Sequence, residues 1–194
     1  MKGFLDALLG RSKPVKPDLN VLFAVPSAAY PLQAALGLAP SGVGAVCFQA
    51  AEGAAAERAL TDLHALPGGD AGTAVSVSRD EYGFTWIACR QTTTDLSTLV
   101  TQLHGVNVTL AEAGLGSALL CTSIGFAPAD PADHRRLALV YLFKRGTVYP
   151  FAPRDAPPLR NTALELQVRA GLADELPIEP DLARWFPTWN APVP

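Results

Sequence analysis

Apolar and polar positions alternate along the chain with periods that switch between helical and extended. Residues 3–9 read as a short amphipathic helix, with Phe4, Leu5, Leu8 and Leu9 on one face and Gly10 as its stop. Pro14 and Pro17 make the following stretch an extended linker. Residues 19–25 form a second apolar run, strand or helix, which Pro26-Ser27 could end. A helix is predicted over 28–36, closed by Gly37. Residues 42–49 read as a strand, and 53–66 as a helix terminated by Pro67-Gly68-Gly69. Val75 and Val77 alternate with Ser76 and Ser78, so 73–78 and 84–90 predict a hairpin. The longest helical pattern covers 95–113, with Leu96, Leu99, Val100, Leu103, Val106, Asn107 and Leu110 on one face. Thr94 or Asp95 can cap it and Gly114 can stop it. Strands follow at 115–126, 137–143 and 148–151, the last two joined by a tight turn at 144–147. A helix is predicted over 158–171, and a short helical stretch at 181–186 precedes Trp189.

Two hairpins require antiparallel pairing, so the expected fold class is α+β: a mainly antiparallel, twisted sheet with helices stacked on it. The expected organisation is residues 1–18 as amphipathic helix and linker, then one domain over 19–194. A chain of 194 residues suits one domain of this kind.

Composition narrows the function more by exclusion than by assertion. Lys plus Arg number 15 and Asp plus Glu 18, without the basic excess of a general nucleic-acid binder. No run of about 18 uninterrupted apolar residues predicts a membrane span, and Asp6 interrupts what would be a signal-like N-terminus. Cys47, Cys89 and Cys121 are separated, apolar in context and odd in number. Free buried thiols in a reducing, cytoplasmic compartment are expected, with no metal and no cofactor.

Candidate chemistry is sparse. The Gly-rich stretches at 41–44 and 68–72 have neither phosphate-loop form. His64 and His104 lack a partner at i+3 or i+4, and His134 sits in a polar loop. Nothing resembles a nucleophile elbow, although a site of dispersed residues remains open. Glu165 precedes Arg169 by four and reads as half of a solvated helix pair. Lys144-Arg145 reads as a charged turn. Asn107 falls on the apolar side of its helix, where a core hydrogen bond or a partner chain would use it.

The two ends carry more. Lys2, Arg11, Lys13 and Lys16 surround the apolar face at 3–9, whereas Asp174, Glu175, Glu179 and Asp181 make 174–186 acidic. A helix this short is marginal alone in water, so its apolar face must dock on its own domain, a partner or a membrane surface. Trp185, Phe186 and Trp189 are either a plug on the core or an aromatic anchor.

Several stretches are similar to those of a known family. They are residues 3–11 (GFLDALLGR), 13–17 (KPVKP), 32–38 (LQAALGL), 42–44 (GVG), 82–86 (YGFTW), 139–153 (LVYLFKRGTVYPFAP), 161–169 (NTALELQVR) and 180–187 (PDLARWFP). Together they resemble the PspA-associated PspAB family across nearly the whole chain. The resemblance implies a cytoplasmic accessory of the phage-shock-type envelope stress response, with the coiled-coil, membrane-associated PspA as partner and no catalytic residue to carry over. The element order also resembles the secretion-chaperone-like α+β arrangement, a likeness of fold alone. The expectation is a non-enzymatic adaptor whose partner-binding residues are Phe4, Leu5, Leu8, Leu9, Arg11, Trp185 and Phe186. An enzyme of hydrolase type and a peripheral membrane sensor are the alternatives, and a homodimer is open.

Overall fold

The computed structural model describes residues 18–49, 73–155 and 158–193. The helices expected at 3–9 and 53–66 lie outside the described residues.

Residues 19–25 resolve their ambiguity as helix. A 3-10 turn, Leu19–Ala24, is capped by the Asp18 carboxylate on the Asn20 amide and runs directly into α1, Val25–Leu36. Pro26 does not end the run. It occupies the first turn of α1, where its missing N–H leaves no bond unmade. Leu22, Val25, Ala28 and Leu32 form the buried stripe. The combined Leu19–Leu36 helix, with mean hydropathy 1.3, is long and apolar enough to cross a membrane by length and composition; here its stripe packs into the core. Gly37, at φ 67°, closes α1 with its amide on the Gln33 carbonyl.

β1 (Leu38–Phe48) therefore starts four residues earlier than the pattern at 42–49 implies. Its first residues pair with the end of β4 (Leu119–Pro128), and the register shifts between Pro40 and Gly44. That irregularity breaks the alternation from which a strand is read. β2 (Thr73–Arg79) and β3 (Thr85–Gln91) form the first expected hairpin. α2 (Leu96–Leu110) is capped by Asp95, whose carboxylate accepts from the Ser97 and Thr98 amides and the Thr98 hydroxyl. Residues 111–115 extend α2 as a wider turn that stops at Gly114, so β4 begins at Leu119 rather than 115. β5 (Leu137–Leu142) and β6 (Thr147–Phe151) form the second hairpin. α3 (Thr162–Gly171) starts later than expected, at an Asn161 cap that accepts from the Leu164 amide.

The six strands form one antiparallel sheet in the order β2-β3-β1-β4-β5-β6. The α+β class expected from the pattern is the one observed. One face carries the main core: Val46 and Phe48 of β1, Ile87 and Cys89 of β3, Ile124 and Phe126 of β4, and Leu137, Leu139 and Tyr141 of β5. These meet the stripes of α1, α2 and α3. Gly44 lets α2 approach, since a methyl group there would sit 2.5 Å from Leu103 Cδ1 and 3.2 Å from the Ser123 carbonyl oxygen. Each large apolar side chain closed into this layer contributes about 1.5–3 kcal/mol.

Candidate functional site

The opposite face of the sheet is built differently. Facing rows run Trp86, Cys47, Cys121, Leu142, and then Ala88, Ala45, Ser123, Val140, Tyr149. The central strands contribute small side chains and the outer strands aromatic ones. The result is a trough, with Trp86 on one wall and Tyr149 and Phe151 on the other. Among the described residues, no α-helix lies in it. The chain after α3 fills it instead.

That tail is fastened by specific contacts. Val148 donates its amide to the Pro177 carbonyl and its carbonyl accepts from the Glu179 amide, so the tail enters alongside β6. Trp185 is 5% exposed, stacks on Tyr149 at 6.1 Å between centroids, and donates its indole N–H to the Glu179 carbonyl. Tyr149 donates its hydroxyl to the Phe186 carbonyl at 2.8 Å. Trp189 meets Phe151 edge-on at 5.0 Å, and Val193 lies against Gly125.

Charged groups lock the same region. Arg160 Nε donates to Glu165 Oε1 at 2.9 Å, its Nη1 donates to the Trp185 carbonyl at 2.7 Å, and its guanidinium lies over the Phe151 ring. Glu165 is 2% exposed and also accepts from the Ala152 amide. It is therefore not the solvated i,i+4 partner of Arg169 that its spacing suggests. Arg169 lies over the Trp185 ring instead. Glu179 is fully buried and accepts from the Thr147 hydroxyl at 2.6 Å, from Arg145 Nε at 3.4 Å and from the Asp181 amide. Arg145 is thus a buried carboxylate's partner as well as part of a charged turn. Both oxygens of Glu179 find donors, and Glu165 Oε1 takes two, which offsets the cost of burying each charge.

Beside the tail, the described residues leave part of the trough unfilled. A cavity of about 340 Å³ lies between the sheet and residues 186–190. Its floor is Cys47, Cys121, Leu120 and Leu142, and its ends are the β2–β3 turn and the β5–β6 turn. Asp80 shapes the first of these turns. Its carboxylate accepts from the Tyr82 and Phe84 amides and from the Trp86 indole, which presents Tyr82 at the rim. Tyr82 and Phe186 are 66% and 61% exposed there. Lys144 and Arg145 stand at the other end. The volume falls in the range of small-ligand or side-chain pockets, and the lining is almost wholly apolar.

Sequence separation hides the pairing on the cavity floor. Cys47 and Cys121 are directly opposite across β1 and β4, and all three cysteines are free and buried. A hydrogen bond that the Cys47 thiol donates to the Cys121 sulfur, with burial, pushes the Cys47 thiol well up. Burial alone pushes Cys89, on the helix-covered face, up to about 11. Both sulfurs are thereby held as neutral thiols near neutral pH, and the thiolate is the nucleophilic form. No histidine among the described residues lines the cavity. Among the described residues, no group of three or more His, Cys, Asp and Glu side chains gathers in one place.

Of the sequence candidates, the structure places Trp185 as a plug on its own sheet and Phe186 at the cavity rim. Phe4, Leu5, Leu8, Leu9 and Arg11 lie outside the described residues. Tyr82, Cys47 and Cys121 were not legible as neighbours, because their juxtaposition depends on strand order. The buried polar residue that spacing did single out, Asn107, donates to the Leu103 carbonyl and to the Thr122 hydroxyl.

The arrangement defines a class: an α+β protein with one helix-covered face and one tail-covered face that keeps an apolar, aromatic-rimmed cavity. The chain belongs to the PspAB family, PspA associated protein B, whose model matches residues 2–193. No curated protein and no solved structure shows a significant match to it. The likeness to secretion chaperones therefore rests on element order alone.

Proposed function

We propose that this protein is a non-enzymatic, cytoplasmic adaptor that binds PspA in the envelope stress response, using the tail-covered face. The family's description supplies the partner. The observation that carries the reading is the rim: Tyr82 and Phe186 are large, exposed aromatics set around an apolar cavity. Aromatic groups around a desolvated pocket are the usual energetic centre of a protein interface. A Cys47 thiol held neutral, and a lining without histidine among the described residues, support binding over covalent chemistry. The test is co-purification of PspA with the tagged full chain from stressed cells, followed by mixing of the two purified proteins. A stable complex supports the reading. No association of the purified pair, at concentrations where both are folded, contradicts it.

A second reading, peripheral membrane contact, rests on Leu19–Leu36, whose outer face exposes Phe23 and Tyr30. Flotation with anionic vesicles in the absence of PspA tests it. Sedimentation of the isolated chain tests the homodimer.

A further inference from the structure

We propose that the cavity on the tail-covered face is the docking site of the chain's own N-terminal apolar segment, Phe4, Leu5, Leu8 and Leu9. The proposal concerns the free protein, and it stands or falls without PspA.

The first argument is where the described chain begins. A methyl group at Gly146 would lie 4.0 Å from the Asp18 amide nitrogen, so Asp18 sits against the β5–β6 turn. Lys144 and Arg145 of that same turn form one end of the cavity. Seventeen residues precede Asp18, and nine steps of chain separate Leu9 from it. At about 3.1–3.3 Å per extended residue, that linker reaches on the order of 30 Å, and Pro14 and Pro17 favour extension. The segment therefore starts at the cavity's edge with chain to spare.

The second argument is chemical fit. The apolar lining includes Leu120, Leu142, Phe84 and Trp86, with the Cys47 and Cys121 side chains between them. Its room, about 340 Å³, suits a few aliphatic or aromatic side chains. The segment's sequence offers four at helical spacing, and a helix of that length would not persist in water unless that face were covered.

The cysteines supply the test. Cys47 and Cys121 are on the cavity floor, whereas Cys89 is in the helix-covered core. Wild type and Leu8→Asp are treated with N-ethylmaleimide, and alkylation at each cysteine is timed by peptide mass spectrometry. If the segment covers the cavity, Leu8→Asp speeds modification of Cys121 and Cys47 by about tenfold or more, the factor given by about 1.4 kcal/mol of docking. Cys89 keeps its wild-type rate. A second variant works from the other side. Leu142→Trp narrows the cavity and should speed tryptic cleavage after Arg11, with Cys89 again unchanged. Three results overturn the proposal. The first is modification of Cys121 at the wild-type rate in Leu8→Asp. The second is acceleration of all three cysteines together, which makes the segment ordinary core. The third is protection of Cys121 that varies with protein concentration, which makes the cover a second copy.

Discussion

The two faces of the sheet bury similar strands by different means. The helix-covered face is closed by side chains that repeat with helical and strand periods, such as Leu99, Leu103 and Leu110 over Val46, Ile87 and Ile124. The tail-covered face is closed by a few apolar side chains, Trp185, Trp189 and Val193 in a trough of Ala, Ser, Gly and Cys, held through Arg160, Glu165 and Glu179. The first face is filled. The second keeps a cavity with Tyr82 and Phe186 exposed around it. Periodic burial makes a domain stable, and irregular, locally anchored burial leaves room for another molecule.

The largest effect that would break this contrast is in the helix-covered core. Leu103 is fully buried between α2 and the sheet, so Leu103→Ala should lower global stability by about 3–5 kcal/mol in denaturant unfolding. Trp185→Ala should cost less, about 2–3 kcal/mol, because the tail can leave without opening the core. Hydrogen exchange should then rise across residues 182–193 while α2 amides stay protected. Equal loss of protection in both places would mean that the faces are one cooperative unit.

A smaller effect sharpens the picture at the edge of the helix-covered face. Hydrogen bonding from Arg135 holds the Asp133 carboxyl below its ordinary 3.8, and Arg135 also donates to the Leu36 carbonyl at the end of α1. A depressed carboxyl contributes stability above its unfolded pKa and loses it as pH falls through the folded value. Amide shifts of residues 133–136 and Leu36 should therefore move below pH 3.8. Asp133→Asn should show the acid-state shifts already at neutral pH, with little change in melting temperature, since the pair is partly exposed.

The contrast also decides what could be read from the sequence. The stripe Leu96, Leu99, Val100, Leu103, Val106 and Leu110, the Asp95 cap and both hairpins were legible because local spacing alone generates them. So was the burial of Asn107. The start of β1 was not, because Pro40 and the shifted register at Gly44 interrupt its alternation. Glu165 was misread because a helical i+4 partner is local, whereas its real partners, Arg160 and the Ala152 amide, precede the helix. The Cys47–Cys121 pairing and the cavity were out of reach. They follow from β4 lying beside β1, about seventy residues away in the chain, which no spacing encodes. Trp185 and Phe186 were legible as a pair but not as opposites, one buried and one at the rim.

The measurement that bears most directly on the account is a calorimetric titration of PspA with the wild-type chain and with Phe186→Ala. Phe186 is exposed and its ring closes no core, so the variant should melt with the wild type. If the tail-covered face is the PspA surface, the truncation should weaken binding at least about tenfold, as loss of an aromatic interface anchor does. Unchanged affinity in Phe186→Ala, alongside a wild-type chain that binds PspA, would contradict the account and move the interface to another face.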